Sequence, residues 1–92
     1  MVHEIKTINE FFEPVIAGLK RFHVCKNDRD FKNGDKLFFC EYDGINYTGR
    51  NVLVEVDYIL YGGHFGLVSG ACIMSFKIIG KNLSILEANN QK

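Results

Sequence analysis

The chain has no net charge: 11 Lys and Arg residues face 11 Asp and Glu in 92 positions. A protein that grips polyelectrolytes with its whole surface is basic, so any nucleic-acid role here has to rest on a local patch. No apolar run approaches the roughly 20 residues of a membrane span. The opening residues, MVHEIKTINE, lack the charged-then-apolar order of a secretory signal, which predicts a protein of the cytoplasm. Cysteine is scarce and odd in number, with Cys25, Cys40 and Cys72 spaced 15 and 32 apart. Neither C-x-x-C nor H-x-x-x-H spacing occurs, which argues against a zinc framework, and reduced, structural thiols are expected. No metal or other cofactor is expected. Internal repeats, linkers and low-complexity stretches are missing as well. One domain is therefore expected over 1–87, with a frayed tail over 88–92.

What is present is a 47% apolar share, enough for one modest core without metal or disulfide support. Val2 to Lys6 reads as a strand with His3, Ile5 and Thr7 on one side. Thr7-x-x-Glu10 fits a capping box, and Phe11, Phe12, Val15, Ile16 and Leu19 recur at helical spacing. These predict a short helix over about 8–17, stopped by Gly18 and either kinked or shortened by Pro14, the single proline.

From Lys20 onward the period becomes two. Lys20–Lys26 reads as a strand, with Phe22 and Val24 on one face and Arg21, His23 and Cys25 on the other. A polar loop runs from Asn27 to Asp35. Lys36–Tyr42 is the next strand, and Asp43-Gly44 marks a turn. Tyr47-Thr48-Gly49-Arg50 reads as a second turn before a long strand, Asn51–Leu60. After the glycine-rich Tyr61-Gly62-Gly63-His64-Phe65-Gly66, strands are expected over Ala71–Ile79 and Leu83–Leu86. The expected fold is α+β and mainly β: a partly closed antiparallel or mixed barrel of five or six strands with one early helix.

Gly18-Leu19-Lys20-Arg21-Phe22-His23-Val24-Cys25 resembles the Gly-x-Lys-x-x-Glu-x-Arg signature of ASCH domains, a branch of the PUA-like superfamily. Lys26 to Phe31, Gly34-Asp35, Tyr47 to Arg50, Tyr58-Ile59-Leu60 and Gly62 to Leu67 are similar to a small branch common in phages and bacteria. The likeness spans about His3 to Ile79 and implies the PUA-like barrel. The superfamily includes RNA-binding modules, and one ASCH lineage hydrolyses acylated cytidine. That lineage uses the signature Lys and a hydroxyl two strand positions before its Arg, aided by a distant Glu. Here Lys20 keeps the lysine, while His23 and Cys25 replace the signature Glu and Arg.

Two surfaces could carry function. Lys20, Arg21, Lys26, Arg29, Lys32 and Lys36 place six of the eleven basic residues within seventeen positions, against Asp28, Asp30 and Asp35. Such a segment either contacts phosphates or is a solvated loop of internally paired charges. Tyr61, His64 and Phe65 either stack on unpaired bases or belong to a flexible connection with Phe65 packed into the barrel end. His23 and Cys25, about 7 Å apart on one strand face, are wide for a nucleophile–base pair, although Glu41, Glu55 or Asp57 could approach from neighbouring strands.

The leading expectation is a non-catalytic RNA-binding module acting on RNA or a ribonucleoprotein. Lys20, Arg21, His23, Lys26, Arg29, Lys32, Tyr61, His64 and Phe65 form its surface. One alternative is a phage-encoded inhibitor of an RNA-guided host defence nuclease, of anti-CRISPR type. The other is a nucleoside or RNA deacylase using Lys20 and His23.

Overall fold

A computed structural model describes residues 1–84. In chain order the elements are β1 (Val2–Ile8), α1 (Asn9–Ile16), β2 (Phe22–Lys26), β3 (Lys36–Tyr42), β4 (Tyr47–Tyr61) and β5 (Ala71–Asn82). They form one five-stranded sheet in the order β1-β3-β4-β5-β2, in which β1 runs parallel to β3 and the other neighbours are antiparallel. Among the described residues the chain is thus mainly β with a single short helix.

Alternation builds the core. Leu37 and Phe39 of β3, Val52, Val54 and Val56 of β4, and Cys72, Met74 and Phe76 of β5 all point to one side and are buried. Phe12 and Val15, three apart on α1, lie over them, and Phe31 reaches in from the β2–β3 loop. Each such side chain contributes about 1.5–3 kcal/mol by leaving water. Register shifts between Leu53 and Val54, and between Val56 and Tyr58, interrupt the β4–β5 ladder. Bulges of this kind bend and twist a sheet. The sheet curls into a half-barrel, far enough that the His23 ring on β2 meets the Phe39 ring on β3 edge-on at 5.3 Å, although three ladders separate their strands.

Several local expectations need correcting. The capping box at Thr7 does not form: β1 continues to Ile8, Thr7 belongs to the β1–β3 ladder, and its hydroxyl donates to the Ile5 carbonyl. The helix accordingly starts at Asn9, with Pro14 inside it, where proline denies the Glu10 carbonyl its helical donor. Its end follows the expected glycine stop. Leu19 N–H donates to the Pro14 carbonyl and Gly18 N–H to that of Val15, with Gly18 at φ 77°, a Schellman arrangement. Tyr47 to Arg50 is strand rather than turn. The reversal lies at Asp43–Asn46, where the Asp43 carboxylate accepts from the amides of Ile45 and Asn46. Gly49, at φ 94°, lets β4 begin early. At the far end, β5 runs to Asn82, and Leu83 and Ser84 lie outside any strand. The rest of the strand expected at Leu83–Leu86, the last residues of the expected domain and the tail at 88–92 lie outside the described residues.

A buried ionic cluster fixes the helix to the sheet. Glu41, 3% exposed, accepts a two-pronged pair from Arg50, with Nε to Oε1 and Nη2 to Oε2 both at 2.7 Å. Thr48 Oγ1 and Asn9 Nδ2 donate to the same carboxylate at 2.6 and 2.8 Å. Arg50 also pairs with Glu13 of α1 and lies over the Phe12 ring, 5.1 Å from its centre. These hydrogen bonds, those from Arg50 foremost, hold the Glu41 carboxyl down at about 2.

Candidate functional site

The half-barrel does not close, and its two edge strands, β1 and β2, face each other across a seam. There Lys6, Thr7 and Ile8 of β1 stand opposite Phe22, His23 and Val24 of β2. Phe39 forms the floor, and Phe11, Val15 and Lys20 complete the far wall. The cleft encloses about 560 Å³, within the range of small-ligand sites. Its lining is apolar and aromatic, with four polar side chains, those of Lys6, Thr7, Lys20 and His23. Phe11, Phe22 and Val24 are half-exposed, so the cleft opens to solvent with apolar walls.

The backbone at the seam is committed too. At either end of the β2–β5 ladder, Phe76 N–H donates to the Arg21 carbonyl and Asn27 N–H to that of Gly70. Alternation then directs the amides and carbonyls of Phe22, Val24 and Lys26 at the open edge. Lys20 Nζ donates to the Phe22 carbonyl at 2.9 Å, and Arg29 Nη1 reaches across to the Glu4 carbonyl on β1 at 2.7 Å. One cation on each side therefore occupies an outward-facing carbonyl.

His23 is neutral at physiological pH. Burial foremost, then the charges of Lys20 and Arg29, push its pKa down to about 4. An uncharged imidazole offers one donor and one acceptor, and no hydrogen bond to its ring is made by the described residues. Burial also lowers Lys20 from its ordinary range. Cys25, beside His23 on the inward face, has its thiol pushed up to about 12, by burial first and then by Cys72, which pairs with it across the strands. Such a thiol is a poor nucleophile. Of the carboxylates considered as partners for His23, Glu41 is held by Arg50, and Glu55 and Asp57 lie beside Lys77, each 3.9 Å from its Nζ; among the described residues none of the three bonds the His23 ring.

The residues singled out from sequence divide between two ends of β2. Lys20 and His23 line the cleft, and Arg21 borders a groove next to it. Lys26 and Arg29 line a separate hollow of about 150 Å³, shared with His23, Cys25 and Asp28. Lys32 is paired with Asp30 at 3.0 Å. Tyr61 donates its hydroxyl to the Phe31 carbonyl, tying the β4–β5 hairpin to the β2–β3 loop. His64 and Phe65 sit on the hairpin tip. Phe65 is 93% exposed at φ 52°, so it does not pack into the barrel end. Lys6, Thr7, Ile8, Phe11, Val15, Phe22, Val24 and Phe39 are the cleft residues that sequence reasoning missed. The signal for Phe22 and Val24 was their alternation with His23, read without knowing that the seam leaves their side exposed.

Over 55 residues, 60% of this chain, the sequence is 37% identical to the "Uncharacterized 12.9 kDa protein in GpA 3'region" of Escherichia phage P2. The match spans 50% of that relative, so the chain corresponds to about half its length. A family model described as "Domain of unknown function (DUF3850)" matches residues 2–76, most of the chain, and the protein therefore belongs to that family.

Proposed function

We propose that this protein is a non-catalytic RNA-binding module of the PUA-like (ASCH) kind, acting in the cytoplasm and holding an unpaired base in the seam cleft. The observation that carries the reading is the cleft itself. An apolar, aromatic-walled opening with Lys20 at its wall and an uncharged, unpaired imidazole inside suits a flat heterocycle attached to an anionic backbone. Phe22 and Phe11 supply stacking surfaces, worth about 1–3 kcal/mol per base. His23 supplies a donor and an acceptor for a base edge, and Lys20 exchanges the Phe22 carbonyl for a phosphate oxygen. Neutral overall charge implies modest affinity for random polymer, which favours a structured RNA or a ribonucleoprotein as the partner.

The test is fluorescence anisotropy with labelled single-stranded RNAs of about ten nucleotides, a length within the range of single-strand binding sites. Binding that falls about tenfold or more in Phe22→Ala, while the melting temperature holds, supports the reading. Absence of binding at low salt, both to these strands and to folded RNAs that present unpaired loops, refutes it.

The relative in phage P2 supports only the phage-encoded part of a second reading, in which the same surface inhibits an RNA-guided defence nuclease. Capture of one such nuclease from host lysate, persisting after RNase treatment, distinguishes it from direct RNA binding.

A further inference from the structure

A second group of cations lies on the opposite side of Lys20 from the cleft. A groove of about 390 Å³ runs between the end of α1 and the β4–β5 ladder, bordered by Lys20, Arg21, Lys77 and Asp57. Its floor is Phe76 and Ile78, and it shares Val15 and Lys20 with the cleft, so the two depressions meet at that lysine. The Phe76 amide bonded to the Arg21 carbonyl at 3.1 Å fixes Arg21 beside Lys77. The Arg21 guanidinium makes no ion pair with the described residues. Lys77 stands at the long distance of 3.9 Å from both Glu55 and Asp57, and exposed pairs of that kind are worth little. Lys81 extends the patch, its Nζ 3.4 Å from the Ile16 carbonyl at the helix end. On the loop side, Lys32 pairs with Asp30 at 3.0 Å and Arg29 donates to the Glu4 carbonyl at 2.7 Å across the seam.

We infer that this groove is a phosphate track: the backbone of the strand whose base enters the cleft passes over Lys20 and is held by Arg21 and Lys77, with Lys81 beyond. The inference rests on the RNA reading of the cleft and assigns the direction in which the strand leaves it. Lys77, some fifty residues from the basic run, joins the site only because β5 pairs with β2. Asp57 is the one carboxylate among the described residues that borders the groove, and with Glu55, as close to Lys77, it opposes an anion there.

The experiment measures affinity of the same labelled RNA against salt for the full chain and for Arg21→Ala, Lys77→Ala and Asp57→Asn. All three side chains are exposed, and their variants should melt as the wild type does. Each lost cation should weaken binding several-fold for every sequence tried and flatten the log–log salt slope by about 0.7. Asp57→Asn should tighten binding. Unchanged slopes in Arg21→Ala and Lys77→Ala, with a flattened slope in Lys26→Ala and Lys32→Ala, overturn the track and route the backbone over the β2–β3 loop while RNA binding stands. A wild-type chain that binds no RNA at low salt overturns the cleft reading and this inference with it.

Discussion

Replacing Arg50 by methionine should cost about 3–5 kcal/mol, because it strands a carboxylate rather than merely deleting a contact. Glu41 is 3% exposed and accepts four hydrogen bonds, two of them from Arg50. In Arg50→Met the neutral donors of Thr48 and Asn9 remain, and no cation replaces the guanidinium. A domain of this size has about 5–14 kcal/mol in total, so the variant should melt on the order of 20 °C lower. The loss should also depend on pH. In the wild type the Glu41 pKa is depressed from 4.5 to about 2, so its contribution is complete above 4.5 and disappears as pH falls through 2. In the variant the buried carboxyl titrates above 4.5 instead, so protonation relieves it. The gap between variant and wild type should therefore narrow from pH 7 to pH 5 in urea unfolding curves. The double variant Glu41→Leu/Arg50→Met should recover most of the loss, since it removes both charges. A single-variant loss below about 1 kcal/mol, equal at both pH values, would place the pair in the class of solvated surface bridges and refute the argument.

His23 makes the wild type acid-sensitive. Its folded pKa of about 4 lies below the ordinary 6.5, so its contribution is complete above pH 6.5 and is lost as pH falls through 4. His23→Leu should lose less stability than wild type between pH 7 and pH 4.5, by on the order of 2 kcal/mol in denaturant titrations, and parallel losses would contradict the burial argument. Gly62→Ala should destabilise the hairpin by on the order of 2 kcal/mol, because the added Cβ would overlap the Val68 carbonyl. A thermal melt within error of wild type would show that the tip yields instead. Finally, alkylation at pH 8 should be slow at Cys25 in the folded chain. With the thiol pushed up to about 12, only about one molecule in ten thousand carries the thiolate. Mass spectrometry that finds Cys25 modified as fast as in the unfolded chain would refute this.

Strand identity was readable in β3 and β5, where Leu37 and Phe39, and Cys72, Met74 and Phe76, fall two apart, although Glu41 takes the next inward place in β3. The polarity of β2 was not readable. Phe22 and Val24 carry the apolar signal, yet His23 and Cys25 face inward, because an edge strand at an open seam has a use for apolar side chains outside. Thr7 misled for a related reason: a hydroxyl near a helix start caps only when its own backbone has left the ladder. The basic run shows how neighbours in sequence come apart in space. Five residues of extended chain put about 17 Å between Lys20–Arg21 and the cations after Lys26, so one apparent patch becomes two. Glu41 and Arg50 show the reverse, since their pairing depends on a hairpin register that composition does not encode.

The placement of β2 also dictates an order of assembly. β3, β4 and β5 follow one another as a meander, and each finds its partner soon after leaving the ribosome. β2 emerges early but has its ladder partner in β5, about fifty residues later, with Phe22 opposite Ser75 and Lys26 opposite Ala71. Contacts of such separation carry the largest loop-closure entropy and slow folding. A nascent chain that has not yet extended past Ala71 has nothing for β2 to pair with and so has no cleft. The β2 wall of the cleft is the part of the described fold that must wait for β5.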